Sequence, residues 1–402
     1  MRHRSAARGL GRGAAGPWRR CAGPRGGGGH RDRFCASDDG RPLPAVDPDA
    51  PAQVLYTSGA TGRPKGAVLT HRGLTNNARL AAETIGMRAG DTIVQPMPLF
   101  HVAGGALLTL GPVQALATCV LMPHFYPGLV FELIETYGSA MIGGVPTMLT
   151  ALLDYPGRAG RDLSSVRYAL SGGALVPAGL ARQVEAAFGV PLVITFAQTE
   201  SSCSITMTRA GDPADDRAQT VGRPLPQTEV KITDLGTGQT VPCGAIGEIC
   251  TRGYLVMPEY LGDPQATAAA IDSDGWLRTG DLGSMDQRGY TRIQGRRKEM
   301  IIRGGENVYS REIEAVLLSH PGVAEAAVVG VPDRFWGEEV GAVIRWTGRP
   351  PPAAAERELA GLCRARLAAY KVPARWRFTD SFPLTATGKI RKDVLSAQFA
   401  DS

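Results

Sequence analysis

The chain has 402 residues, of which 43% are apolar and 20% charged; this excludes a wholly disordered or collagen-like chain and leaves room for two or three domains. The net charge of +6 is concentrated at the front: nine arginines and one acid fall within residues 1–33, so the rest of the chain sits near −2. That distribution excludes a body-wide electrostatic footprint for DNA or RNA.

In chain order, the first segment is a head, residues 1–37, rich in Arg, Gly, Pro and Ala. It is predicted to be disordered. It has no apolar segment of signal-peptide length, and it lacks the Ser-rich, amphipathic character of a transit peptide. The run Gly11 to Gly16 matches G-x-G-x-x-G but follows no strand and opens no apolar helix, so it is an accident of composition. Seven cysteines, with no C-x-x-C pair and no zinc spacing, read as reduced and mostly buried thiols of a cytoplasmic protein.

The body then reads as alternating elements. Strands are predicted at Ala52–Tyr56 and Ala67–Thr70, and a helix at Gly73–Ile85. From Thr92 to Phe131 there is no charged residue. Val102–Met122 is apolar enough to raise the question of a membrane span. However, five prolines and three glycines interrupt the run or its flanks, and no Lys or Arg borders it, so it reads as buried helix and strand segments of an α/β core. Helices are predicted at Val130–Tyr137 and Pro177–Phe188, with strands at Ala140–Gly143, Ser165–Ser171 and Leu192–Phe196. Beyond about residue 217 the pattern becomes β-rich, with strands at Val230–Ile232, Gly247–Thr251 and Tyr290–Ile293. A helix at Ser310–Ser319, with Ser310 as N-cap, precedes a strand at Val323–Val331 and a helix at Ala353–Ala369. Pro383–Lys392 reads as a loop. There is no internal repeat and no coiled coil.

The segment Tyr56-Thr57-Ser58-Gly59-Ala60-Thr61-Gly62-Arg63-Pro64-Lys65-Gly66 carries the clearest chemistry. Small residues let backbone amides approach an anion, Ser and Thr hydroxyls donate further bonds, and Lys65 adds positive charge. The pattern is suited to phosphate, yet its glycine–lysine spacing is not that of a P-loop. Ser58 also lacks the G-x-S-x-G frame of a hydrolase nucleophile.

This loop resembles the phosphate-binding signature of the AMP-forming adenylating superfamily, which includes acyl-CoA synthetases, peptide-synthetase adenylation domains and beetle luciferases. Further blocks follow in that family's order over about 340 residues: Pro98-Leu99-Phe100-His101, Ser171-Gly172-Gly173-Ala174, Phe196-Ala197-Gln198-Thr199-Glu200, Arg278-Thr279-Gly280-Asp281, Gly295-Arg296-Arg297-Lys298-Glu299, Arg303-Gly304-Gly305-Glu306-Asn307 and Thr387-Gly388-Lys389.

The resemblance implies an α/β fold: a large N-terminal domain of mixed sheets with a small β-rich subdomain, incomplete at its front, and a small α+β C-terminal domain. The implied boundaries are a head at 1–37, an adenylating domain at 38–297 and a mobile C-terminal domain at 298–402. It also implies the substrates ATP and CoA, with Mg²⁺ as cofactor. Thr57, Ser58, Gly59, Thr61, Gly62 and Lys65 would hold phosphates. Gly172, Gly173, Ala174, Phe196, Ala197, Gln198 and Ile293 would line the adenine side. Thr199 would bond a phosphate, and Glu200 would contact Mg²⁺. Asp281 and Arg296 would hold the ribose, and Lys389 would neutralise charge between carboxylate and α-phosphate. Lys298 would be the hinge, and Gly304, Gly305, Glu306 and Asn307 would face CoA. His101 has two readings: a neutral imidazole orienting the acid, or a core histidine with satisfied hydrogen bonds.

Ala60 and Ala197 depart from the family's usual Thr and Gly. Relatives also carry about another domain before the phosphate loop, so a chain truncated at its N-terminus, with an uncovered sheet edge, is expected. The function expected is an AMP-forming acid–CoA ligase for a medium- or long-chain fatty acid, in the cytoplasm, with no transmembrane segment and no nucleic-acid partner. Two other readings stay open: an adenylating enzyme that loads a carrier protein in trans, and a non-catalytic remnant.

Overall fold

The computed structural model describes residues 45–57, 64–347, 352–384 and 390–400. The predicted head therefore lies outside the described residues. So do Ser58, Gly59, Ala60, Thr61 and Gly62 of the phosphate loop, and Thr387, Gly388 and Lys389 of the tail. Residues 1–47 group apart from Pro48–Ser402, and of that first unit only the exposed segment 45–47 is described.

Within Pro48–Ser402, β1 (Pro51–Thr57) and β2 (Lys65–Thr70) form an antiparallel hairpin around the phosphate loop. α1 (His71–Ile85) starts directly after β2 because Thr70 caps it: the Thr70 Oγ1 accepts the Gly73 N–H at 3.0 Å. Gly86, with φ +85°, ends it in the left-handed conformation. β3 (Thr92–Gln95) and β4 (Thr118–Leu121) run parallel, flanking a π-helical segment, Ala103–Leu110. Much of the charge-free run is buried as expected, with Ile93, Leu107 and Leu108 in the core. Its far end differs: Val113, Leu116 and Leu121 are exposed, and β4, which carries Leu121, pairs with β3 alone among the described residues. No helix there is long and apolar enough to cross a membrane.

The central sheet is β5 (Met141–Gly143), β6 (Tyr168–Gly172), β7 (Leu192–Gln198), β8 (Cys203–Met207) and β9 (Arg223–Pro224). The first three strands are parallel, and the last two antiparallel. α2 (Pro127–Tyr137), α3 (Pro146–Leu153) and α4 (Ala178–Phe188) pack their apolar faces around Phe131, Ile142, Leu149 and Leu192. The parallel strands read as continuous apolar runs because both faces are covered.

β10 (Thr228–Thr233), β11 (Gly247–Gly253), β12 (Leu277–Met285) and β13 (Thr291–Arg296) make an antiparallel meander. A short 3₁₀ turn, Arg297–Glu299, leads into the last sheet. That sheet holds β14 (Ile301–Arg303), β15 (Glu306–Val308), β16 (Val323–Asp333), β17 (Gly337–Trp346) and β18 (Arg375–Phe378). α5 (Ser310–Leu318), α6 (Pro352–Arg366) and α7 (Lys392–Ala400) accompany it. Ile313, Leu317, Leu359 and Cys363 join one core on this sheet, while Leu395 and Phe399 join another.

Two local expectations change. Ser310 is not the N-cap: Tyr309 holds that position without a side-chain bond, and the Ser310 hydroxyl instead accepts from Lys392 Nζ at 3.1 Å. Lys392 opens α7 rather than closing a loop. Of the five described cysteines, all are free; Cys203, Cys250 and Cys363 are buried, Cys119 is half-buried and Cys243 is exposed.

One buried polar side chain ties α1 to the central sheet. Asn77 Nδ2 donates to the Ser204 carbonyl at 2.7 Å, and Asn77 Oδ1 accepts the Ser204 N–H at 2.9 Å. Both groups are out of solvent. Asn77→Ala leaves a buried N–H and C=O unpaired, which costs about 1–3 kcal/mol for each group. Thermal or urea unfolding is expected to show a loss of at least about 2 kcal/mol; an unchanged midpoint would contradict this role.

Candidate functional site

A single cavity of about 730 Å³ is lined by the ends of β1, β2, β6, β7, β12 and β13 and by the π-helical segment. It gathers Thr57, Lys65, His101, Gly172, Gly173, Ala174, Phe196, Ala197, Gln198, Thr199, Glu200, Asp281, Ile293, Arg296 and Lys298. These residues are up to 241 positions apart in sequence, yet they share one wall system.

The cavity is organised by the turn that follows β7. Thr199–Ser201 form a 3₁₀ turn, and the next two residues take positive φ, +56° at Ser202 and +122° at Cys203. The second value is uncommon for any residue with a side chain and marks stored strain. The turn is held from inside: the buried Ser201 hydroxyl lies 3.0 Å from the Gln198 carbonyl and 2.9 Å from that of Cys203. The Glu200 carbonyl accepts the Met257 N–H at 2.9 Å.

On one side of this turn, Glu200 Oε1 accepts the Tyr260 hydroxyl at 2.8 Å and the Thr57 hydroxyl at 3.3 Å. Lys65 Nζ lies 5.1 Å from the centre of the Tyr260 ring. Burial, and then the Glu200 charge, push the Tyr260 pKa upward, so its proton stays on the shared bond. Both bonds fall on Oε1, and among the described residues no hydrogen bond reaches Oε2. Glu200 is a hard oxygen donor, and no cluster of three or more His, Cys, Asp or Glu stands among the described residues. That donor set fits Mg²⁺, which commonly takes one or two carboxylates and completes its shell with water and substrate phosphate.

On the other side, Gln198 Nε2 donates to Asp281 Oδ2 and to the Thr279 carbonyl, both at 2.8 Å. Asp281 and Arg296 are cross-strand partners on β12 and β13, and Arg296 Nε lies 3.2 Å from Asp281 Oδ1. Asp281 is buried, and burial raises its pKa against the opposing pull of Arg296, Arg311 and the Gln198 bond.

Gly172 cannot carry a side chain, because a Cβ there would lie 2.7 Å from Thr195. That close approach sets the exposed Gly173-Ala174 rim beside the cavity. His101 Nδ1 accepts the Ala103 N–H at 3.2 Å, which leaves the proton of a neutral ring on Nε2. Of its two readings, this geometry includes both a satisfied ring nitrogen and a place at the cavity wall. Next to it, Gly104 is required by packing, since a Cβ would meet the Pro98 carbonyl oxygen at 2.1 Å.

Lys298 is exposed on the Arg297–Glu299 turn and lines the cavity. Its neighbour Arg297 pairs with Glu248 at 3.3 Å, and Glu248 also accepts the Gly280 N–H. Gly304, Gly305, Glu306 and Asn307 do not reach the cavity. They form the exposed turn after β14 and the start of β15, where Gly304 and Gly305 both take positive φ.

The sequence pattern did not single out Tyr260 or Arg311, and Arg297 was read only as part of the block Gly295–Glu299 with no role of its own. No motif spacing ties Tyr260 and Arg311 to the other cavity residues, and their place there depends on register and helix placement. The apolar part of the lining, with Met97, Val102, Leu107, Leu108, Met141 and Ile194, carries no charged side chain.

Residues 21–261 match the model of the AMP-binding enzyme family, and residues 312–389 match that of the AMP-binding enzyme C-terminal domain. The chain belongs to that family, the AMP-forming adenylating superfamily. It is 43% identical over 349 residues to YngI of Bacillus subtilis (strain 168), covering 87% of this chain and 63% of that protein. It is 37% identical over 354 residues to the mitochondrial medium-chain acyl-CoA ligase ACSF2 of Rattus norvegicus, covering 87% and 57%. The ATP-bound structure of MatB from Rhodopseudomonas palustris superposes with a TM-score of 0.82 at 32% identity, covering 89% of this chain and 69% of that one. The chain thus spans less than two thirds of the length of these two curated relatives.

The raised pKa of Asp281 has a consequence for stability. As pH rises past the ordinary value of 3.8, the unfolded chain releases this proton before the folded chain does. Asp281 therefore lowers stability progressively as pH rises through its folded pKa. Asp281→Asn is expected to raise the melting midpoint at pH 7 and to leave it nearly unchanged at pH 3.5. A lower midpoint at pH 7 would show that the charge is net stabilising.

Proposed function

We propose that this chain carries the activity of an AMP-forming acid–CoA ligase. The observation that supports it most is one cavity that joins a phosphate-suited end, a buried ribose-suited carboxylate and an uncharged apolar lining. In this reading ATP lies along the turn Gln198–Glu200. Asp281 accepts the ribose hydroxyls, with Arg296 fixing its carboxylate. Thr57, Lys65 and Thr199 bind phosphate oxygens, and Ser58, Gly59, Thr61 and Gly62 supply further donors from the loop between β1 and β2. Gly172, Gly173, Ala174, Phe196, Ala197 and Ile293 border the adenine.

Glu200 would hold Mg²⁺, which would supply charge neutralisation on the triphosphate. The acid enters with its tail in the apolar lining and its carboxylate toward His101, whose Nε2 proton orients it. A carboxylate oxygen attacks the α-phosphorus, the bond to the β-phosphate bridge breaks, and pyrophosphate leaves. Two anions must meet in this step, so cations have to be in place beforehand, and we assign that role to Lys389 with Lys65. In the second step the CoA thiol gives up its proton to solvent, its sulfur bonds the acyl carbon, and the acyl C–O bond to the phosphate breaks so that AMP leaves with the electron pair.

We further propose a domain border between residues 297 and 298, with Lys298 as the hinge and Gly304–Asn307 turning toward CoA for the second step. The position of Lys298 on a short turn between two sheets supports this. The substrate class proposed is a carboxylic acid with an uncharged apolar tail, in the range of a medium- or long-chain fatty acid. A cytoplasmic location goes with it, supported by the five described cysteines, which stand as free thiols.

The test is acid-dependent pyrophosphate release against a panel of acids, with and without CoA, for the full chain and for Lys389→Ala. Release with fatty acids, and thioester formation on free CoA, are expected. Lys389→Ala should lose about 10²-fold or more in adenylation while keeping acyl transfer from preformed acyl-AMP. Full-rate adenylation in that variant would refute its role. Thioester formed only on a holo carrier protein would move the acceptor, and a folded sample with no acid-dependent release would refute the ligase reading.

A further inference from the structure

Each of the three carboxylates around Arg311 already bonds another group, Glu314 through Oε1 and Glu299 through Oε2. Arg311 lies in the first turn of α5, beyond the Arg297–Glu299 turn, and it lines the cavity. α5 packs against β13, the strand that carries Arg296. Three acids surround the Arg311 guanidinium: Asp281, Glu299 and Glu314. Asp281 is taken by Gln198 on one oxygen and by Arg296 on the other. Glu314 is taken by Lys392 at 2.6 Å and by the Val328 N–H at 2.9 Å. Glu299 is taken by Lys392 at 3.2 Å. Arg311 itself makes no hydrogen bond or ion pair with any other described residue.

A guanidinium presents five N–H donors and keeps its charge throughout the range of ordinary pH. Set into a cavity wall with no hydrogen-bond acceptor among the described residues, its N–H groups are available to an anion brought from outside. It stands near Asp281, the carboxylate assigned to the ribose, so an anion one phosphoester bond from the ribose falls within its region.

We propose that Arg311 is a nucleotide-binding residue, a phosphate anchor that α5 supplies to the cavity. The inference rests on the nucleotide site proposed above. It adds a contact made from beyond the hinge turn, so the phosphate would hold α5 against β13 while the nucleotide is bound. A planar, forked donor suits bidentate contact with a phosphoryl group, which a lysine at the same place would not reproduce fully.

The experiment measures binding of AMP and of adenosine by calorimetry to the full chain, to Arg311→Gln and to Arg311→Lys. Adenosine has the base and ribose but no phosphate. Arg311→Gln is expected to weaken AMP at least about tenfold with adenosine unchanged, and Arg311→Lys to recover part of the loss. Unchanged AMP affinity would overturn the proposal. So would an equal loss of AMP and adenosine, because that marks a structural role. If the wild-type chain, folded by its melting curve, binds neither ligand, the nucleotide site itself fails, and this proposal falls with it.

Discussion

The hydrogen bonds that hold the turn from Gln198 to Cys203 decide where the remaining cavity groups stand. Gln198 reaches Asp281 on the β10–β13 meander, and Glu200 reaches Thr57 at the end of β1 and Tyr260 beyond β11. A single turn thus sets the distance between the two polar ends of the cavity. Its backbone is not relaxed, with Cys203 at φ +122°, so surrounding structure has to impose it. Ser201 does so from within, and Asn77 does so by clamping Ser204 just past the strain. The thiol of Cys203, its pKa pushed up to about 12 by burial, packs in the hydrophobic core beside the cavity.

Charge placement follows the same logic at longer range. Asp281 is an acid kept in a dry position, which the fold tolerates because Gln198 and Arg296 cover its two oxygens. The charged form is still disfavoured on balance, so the residue weakens the fold at neutral pH. Such a group persists where function needs a carboxylate in a defined position more than the fold needs an apolar side chain. Lys392 shows the opposite balance. It bridges Glu299, Glu314 and Ser310, and burial of Glu299 is outweighed by Lys392, Arg296 and Arg311, which hold its pKa below the usual range.

Much of this was legible from sequence where the signal is local. β5, β6 and β7 show as apolar runs because both faces are covered, and the glycines of Gly172-Gly173 show because a close approach excludes side chains. Motif residues such as Asp281 and Arg296 were legible as chemistry, but their pairing depends on the β12–β13 register, which no local pattern states. β12 itself, Leu277–Met285, went unread because its alternation is broken by Arg, Gly and Asp that serve the site. The Ser310 cap failed for a related reason: its hydroxyl is drawn to Lys392, 82 residues away, a tertiary demand stronger than a local cap. The phosphate loop 58–63 and Lys389 lie outside the described residues, so their assignment stays with the motif.

Arg311, by contrast, is described but carries no motif signal, and its proposed role follows from its place on α5 at the cavity wall. Joining a carboxylate to a phosphate requires positive charge near the reacting atoms. The same charge would repel itself if all of it were fixed permanently in one wall. Arg296 is already neutralised by Asp281 on its own sheet. A cation carried by α5 lies past the turn where the chain passes from one sheet system to the next, so its contribution depends on how α5 meets β13. On the proposed hinge reading, charge carried by a separate element would be present for the anionic reactants and withdrawn when the nucleotide leaves. A fixed residue on β13 would not do that, so the proposed hinge at the Arg297–Glu299 turn would have an electrostatic consequence as well as a mechanical one.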